Sequence, residues 1–195
     1  MTVESIARTP VCYTMSDKFP RLMGLNHVAY RCRDSEETRH FYEDILNMPL
    51  IGIVWHDHVP STGEYCPYFH LFFEMADGGC IAFFDLFDGL GVTNPDDTPG
   101  WVNHLALTVE SEQALIDAKE RLVANGVDVI GPTTHASSKA IYFRDPNGIR
   151  LELAYPTASK EQLLTRADEA RKILKQRDEI YAGIVKRREK GIYHE

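Results

Sequence analysis

Residues 24–32 read GLNHVAYRC, and residues 101–109 read WVNHLALTV. Each stretch sets an Asn-His pair inside a short apolar run of strand-like length and composition. Strand side chains alternate between faces, so His27 shares a face with Ala29 while Val28 and Tyr30 point the other way. In the second copy His104 shares a face with Ala106, opposite Leu105 and Leu107. Two imidazoles therefore hold equivalent points in two related strands. A core histidine satisfied by a local hydrogen bond explains either one alone, but packing does not call for a ring with two polar nitrogens at the same register twice.

The chain around each copy runs in the same order. After the first, Asp34 and Glu37 have the spacing of a capping box, and Phe41, Tyr42, Ile45 and Leu46 fall on one helical face. Strand-like stretches follow at Ile51–Trp55, Tyr68–Glu74 and Cys80–Phe87, the last two parted by Asp77-Gly78-Gly79. The second half predicts a strand over Val102–Val109 and a helix over Ser111–Ala124, with Leu115, Ala118 and Leu122 inward and Asn125-Gly126 as its stop. Strands at Val127–Ile130, Ala140–Phe143 and Ile149–Tyr155 complete it, with Asp145-Pro146-Asn147-Gly148 as a hairpin turn.

A period of about 77 residues is too long for a solenoid. The expected fold is α+β: two βαβββ modules, 23–88 and 101–156, within one domain, 23–156. Pro95, Asp96, Asp97 and Pro99 mark the linker. Residues 1–22 form a weakly patterned leader. In the C-terminal segment, 157–195, the apolar positions Leu163, Ala167, Ala170, Leu174, Tyr181 and Ile184 predict one long amphipathic helix over 159–190 that covers the domain or a partner subunit. A homo-oligomer is expected on that ground.

At 195 residues and 44% hydrophobic content the chain can bury a full core. A net charge of -8 with scattered acids and bases gives no basic stripe for nucleic acid and no polybasic membrane patch. No apolar run reaches the roughly 20 residues that span a bilayer. Cys12, Cys32, Cys66 and Cys80 form no CxxC pair, and no secretion signal precedes them. Packing thiols in a reducing cytoplasm are the expectation.

Glu152 lies in IRLELAY, between leucines of a strand that otherwise reads as buried. An unpaired buried carboxylate costs several kcal/mol, so it needs an arginine such as Arg150 or Arg144, a metal, or an exposed edge. If the first and last strands of a module lie side by side, His104 meets Glu152, and the related sheet brings His27 opposite. Two imidazoles and one carboxylate leave up to three coordination positions open, which suits Fe(II).

The double βαβββ order, the paired histidine strands (GLNHVAYRCRDSEETRHFYEDIL and VNHLAL) and the closing DPNGIRLEL resemble the vicinal-oxygen-chelate superfamily over residues 23–156. That family includes glyoxalases, epimerases, drug-resistance proteins and extradiol ring-cleavage dioxygenases. The resemblance implies a curved mixed-sheet cup around a metal held by His27, His104 and Glu152. It is nearest to the extradiol enzymes, which carry a tyrosine ten residues before the carboxylate ligand and a histidine upstream of it. Tyr142 and His135 match, His135 at a slightly shorter spacing. Their expected roles are a hydrogen bond to a catecholate oxygen and proton transfer. The implied activity is aromatic ring opening by an Fe(II)-dependent dioxygenase, with Mn(II), Ni(II) or Zn(II) as other metals and a small aromatic diol and O2 as partners.

Two departures leave alternatives open. The acid-base histidine that two-domain extradiol enzymes place before the last strand of the preceding module is missing from GGCIAF, where Gly79 stands instead. His70, His56 or His58 would then have to serve, with His70 the principal candidate. Glyoxalases and epimerases use a fourth protein ligand from that strand, and Asp85 in FFDLF is the local candidate. Counted from Gly79 as Glu152 is from Gly148, the matching residue is Phe83, an apolar wall, which favours three ligands. Phe69, Phe72, Phe73, Phe83 and Phe84 could line an aryl pocket or simply pack. A metal-dependent isomerase or lyase on a small carbonyl substrate is the alternative enzyme, and a metal-free binding protein the third reading.

Overall fold

The computed structural model describes residues 22–93 and 97–191. The leader up to residue 21, Cys12, and linker residues 94–96 lie outside the described residues. Module 1 comprises β1 (His27–Cys32), α1 (Ser35–Arg39, widening into a π-helical turn over His40–Ile45), β2 (Leu50–His58), β3 (Tyr65–Glu74) and β4 (Cys80–Asp85). Module 2 repeats the order with β5 (Leu105–Thr108), α2 (Glu112–Ala124), β6 (Ile130–Thr134), β7 (Ser138–Arg144) and β8 (Arg150–Pro156).

Each module builds one mixed four-stranded sheet, in the orders β1-β4-β3-β2 and β5-β8-β7-β6. The first strand runs parallel to the last, and the other neighbours are antiparallel. This sets the opening strand of each module beside its closing strand. Both helices start as their sequence dictates. The Asp34 side chain accepts from the Glu37 backbone N–H, and Ser111 accepts from that of Ala114. The capping box at Asp34 is only half made, because the Glu37 carboxylate pairs with Arg33 instead.

One face of each strand but β6 feeds a core shared by the two modules, with Tyr42, Phe73, Phe83, Leu115, Ile141 and Leu151 at its centre. The DPNG turn closes the join. Asp145 is 5% exposed and accepts from Tyr42 Oη (3.1 Å), Asn147 N (3.0 Å) and Ile149 N (2.7 Å). Asn147 Nδ2 donates to Thr38 Oγ1 at 3.2 Å, and Asn147 Oδ1 accepts from Arg33 N at 3.0 Å. What reads locally as a hairpin turn is a polar clasp between modules. Cys32 and Cys80 are buried, as packing thiols are, and burial pushes the Cys32 thiol up to about 11.

The C-terminal segment belongs to a second compact unit. The single helix expected over 159–190 is instead two, α3 (Lys160–Lys175) and α4 (Arg177–Glu189), parted at Gln176. Charge explains the break. Lys172 and Lys175 close α3, while Asp178 and Glu179 open α4, each favourable at its own helix end. Among the described residues no helix is long and apolar enough to cross a membrane.

Candidate metal site

The sheet registers align the modules residue by residue. In module 1 Ala29 pairs with Ala82, and in module 2 Ala106 pairs with Glu152. Since His27 and His104 stand two residues before those alanines, Ala82 is the counterpart of Glu152. On the adjoining strand Phe72 pairs with Ala82 and Tyr142 with Glu152, so Phe72 is the counterpart of Tyr142. Gly78 and Gly148 both hold positive φ, 84° and 91°, and are the matching turn glycines.

This corrects the count from Gly79 that pointed to Phe83. Phe83 is 0% exposed on the core face, its ring 4.9 Å from that of Tyr42, and walls no site. Asp85, on the same face, is already spent: its carboxylate accepts from Ser35 N (3.0 Å), Ser35 Oγ (2.6 Å) and Phe87 N (2.8 Å). It tethers the start of α1 to the end of β4. The place a fourth ligand would occupy holds Ala82, which has no donor atom. Asp85→Ala should therefore leave metal uptake unchanged and lower unfolding stability by about 1–3 kcal/mol, the cost of stranding those donors, as metal analysis and urea unfolding would show.

On the open face of module 2, His104 stands just ahead of β5 rather than within it, with Nε2 3.1 Å from Glu152 Oε2. Its Nδ1 lies 3.0 Å from the Val102 carbonyl oxygen. A carbonyl only accepts, so Nδ1 carries the proton, and a neutral ring then turns a lone pair toward a carboxylate that also only accepts. A proton shared between them or a metal ion joins the two. That donor chemistry fits a divalent metal. His27, on the open face of module 1, repeats the arrangement: Nδ1 is 2.6 Å from Asn26 Oδ1, which leaves Nε2 free. Such a partner fixes the tautomer of a ligating histidine, and the orienting role of Asn26 had no signal in the sequence beyond its adjacency. Among the described residues no three His, Cys, Asp or Glu side chains converge into one metal-binding group. The structure thus joins His104 to Glu152 and leaves His27 in separate company, with His70 (ring centroids 5.9 Å) and Phe72 (5.6 Å).

Tyr142 and His135 join the His104–Glu152 pair. His135 Nε2 is 2.6 Å from Tyr142 Oη, and the Tyr142 ring lies edge-on to His104 at 6.3 Å. Burial and the Glu152 carboxylate raise the Tyr142 phenol above its ordinary range, against a smaller opposing pull from Arg150, so the hydroxyl keeps its proton near neutrality. Arg144 reaches across to donate to the Gly100 carbonyl at 2.9 Å, tying down the segment that leads into His104.

His70 is 7% exposed, with its ring against Phe84 (3.8 Å) and Phe72 (4.2 Å), and its buried Nδ1 has no partner. Burial, then the neighbouring His27, lowers its pKa. Its contacts are all on module 1, away from the Tyr142–His135 pair. His56 and His58 are exposed on β2 and pack on Tyr68 and Tyr65. Gly79 has a steric reason to lack a side chain: a Cβ there would meet the Leu25 carbonyl oxygen at 2.9 Å. Of the five phenylalanines, Phe72 and Phe84 lie on the open face around His70, while Phe69, Phe73 and Phe83 serve the core.

A family model of the Glyoxalase/Bleomycin resistance protein/Dioxygenase superfamily matches residues 24–153. Among solved structures, the chain is similar to a glyoxylase/bleomycin resistance protein/dioxygenase domain from Frankia sp. EAN1pec, at 22% identity over 73% of this chain and 98% of that one, TM-score 0.59. It is also similar to a glyoxalase/dioxygenase from Nostoc punctiforme (23%, 76% and 100%, TM-score 0.53). A third is a fosfomycin resistance protein from Listeria monocytogenes solved with Mn(II) and sulfate (23%, 74% and 99%, TM-score 0.52). With its two modules in matching register and that match over most of its length, the chain belongs to the Glyoxalase/Bleomycin resistance protein/Dioxygenase superfamily.

Proposed function

We propose that this protein is an Fe(II)-dependent extradiol dioxygenase that opens the ring of a catecholic substrate with O2. The observation that carries the reading is the occupant of the fourth-ligand position. With Ala82 there and Asp85 bonded elsewhere, no side chain stands ready as a fourth ligand at that position, which supports a set of three, His27, His104 and Glu152. Two imidazoles and one carboxylate with open positions is the donor set of non-haem Fe(II) oxygenases. When bound, Fe(II) would supply open positions for both diol oxygens and for O2.

The remaining work falls to side chains on the open face of module 2. Tyr142, protonated near neutrality, directs its hydroxyl to a substrate oxygen. His135, hydrogen-bonded to that hydroxyl, takes the phenol's proton as the Tyr142 oxygen takes the one the diol gives up, so that a single proton passes from diol to imidazole. His70, kept neutral by burial, stands beside His27 as the proton acceptor on the module 1 side. The homo-oligomer belongs to the same proposal, since β2 leaves Ile51, Ile53, Val54 and Trp55 exposed on an edge strand.

The test is anaerobic loading with Fe(II), then addition of O2 with catechol or 2,3-dihydroxybiphenyl. A yellow ring-fission product is expected. No colour with any of several catechols, together with full activity under Ni(II) or Zn(II) on a thiohemiacetal, would replace this reading with the isomerase or lyase one. Purified protein that takes up no metal from Fe(II), Mn(II), Ni(II) or Zn(II) would point to a binding protein.

A further inference from the structure

We propose that Arg150 forms an anion-binding subsite, so that the diol this site takes carries an acidic group, a carboxylate or its like, on the ring. The inference rests on the catechol reading above.

The other described arginines up to residue 156 are paired. Arg31 binds Asp88, Arg33 binds Glu37, Arg39 binds Glu36, Arg121 donates to the Asp44 carbonyl, and Arg144 donates to the Gly148 and Gly100 carbonyls. Arg150 is the exception: among the described residues it makes neither a hydrogen bond nor an ion pair. Its guanidinium lies over the Tyr142 ring, 4.7 Å from the centroid, and its Nε is buried without a partner. A half-buried cation with a stranded donor is costly unless an acceptor arrives. The carboxylate on the same strand face, Glu152, is held to His104.

Position gives the missing acceptor its identity. Arg150 and Glu152 are two residues apart on one face of β8, hence about 7 Å along the strand. That span is comparable to a benzene ring with one substituent. A ring with its diol at the Glu152 end brings a distal acid to the guanidinium, whose planar fork matches a carboxylate bidentately. Module 1 offers no such group, since the register places Cys80 where module 2 has Arg150. The chain as a whole is acidic, which makes a lone unpaired guanidinium beside the site a selective feature rather than part of a general positive field.

Calorimetric titration of the Fe(II)-loaded protein under strict anaerobiosis, with 3,4-dihydroxybenzoate, its methyl ester, and benzoate, tests this without turnover. The acid should bind at least tenfold tighter than the ester. Arg150→Met should erase that difference and leave ester affinity unchanged, with Arg150→Lys between the two. Equal binding of acid and ester by the wild type, or equal weakening of both in Arg150→Met, overturns the assignment. Should the variant not fold, the acid-to-ester comparison on wild type decides alone. Benzoate separates the two readings: diols that bind no better than benzoate refute the catechol site, whereas diols that bind without regard to charge refute only Arg150.

Discussion

Replacing Glu152 by Ala should abolish stoichiometric metal uptake and, with it, activity. Changes to groups that only orient a ligand cost about 10–100-fold in affinity, so losing the ligand itself should exceed ~100-fold. The same variant separates a metal role from a structural one. In metal-free protein the Glu152–His104 contact is an ion pair only when His104 is doubly protonated, and the His104 side chain is 34% exposed. A contact open to water on the His104 side contributes about 1 kcal/mol or less, so the metal-free variant should stay within about 1 kcal/mol of wild type. Wild type supplied with metal at a hundred times its dissociation constant gains about 2.7 kcal/mol, and the variant gains nothing. Thermal unfolding with and without Mn(II), beside metal analysis, measures both. An Ala variant that retains one metal per chain, or that unfolds far below wild type without metal, would remove Glu152 from the ligand set.

The general architecture was legible because it rests on repetition and alternation. The NH strands, the turn residues and the helix caps fix two βαβββ modules, and the alternation that put His104 on the face of Ala106 also brought it to Glu152. The position opposite Glu152 in module 1 was not legible. Two adjacent glycines, Gly78 and Gly79, offer two counts, and only backbone geometry tells which one turns: Gly78 has φ 84°, while Gly79 is held small by the Leu25 carbonyl. A one-residue slip reverses the face of every strand side chain, which is why Phe83 and Asp85 read as site residues although both belong to the core side. Arg150 presented the opposite difficulty. An arginine two residues from a carboxylate looks like that carboxylate's partner, and only the structure reveals that Glu152 is paired with His104 while Arg150 lies on Tyr142. The break at Gln176 carried a readable signal in the reversal from Lys172 and Lys175 to Asp178 and Glu179, but the apolar periodicity runs through it.

Asp145→Ala should be the most destabilising single change outside the hydrophobic core, at about 3 kcal/mol. The carboxylate gathers Tyr42 Oη, Asn147 N, Ile149 N and, at 3.2 Å, Asn147 Nδ2. Each buried donor left without an acceptor costs about 1–3 kcal/mol, and losses within one network are less than additive. Asp145→Asn keeps the volume and one acceptor oxygen but turns an NH2 toward the remaining donors, so it should cost less, about 1–2 kcal/mol. The pH dependence separates charge from shape. Burial raises the Asp145 carboxyl above the ordinary carboxylate range, outweighing the donors that pull it down. A group whose pKa is raised on folding contributes its stability in full below its unfolded value, about 3.9, and loses it as pH climbs through the folded value. The stability gap between wild type and Asp145→Asn should accordingly be widest near pH 4 and narrow toward neutrality. Urea unfolding at a series of pH values reads this directly. A gap that widens with pH would mean that the ionised carboxylate, rather than its protonated form, is what the clasp prefers, and an Ala variant within 0.5 kcal/mol of wild type, roughly the spread of ordinary surface substitutions, would mean that Tyr42 and Asn147 do not join the modules through Asp145.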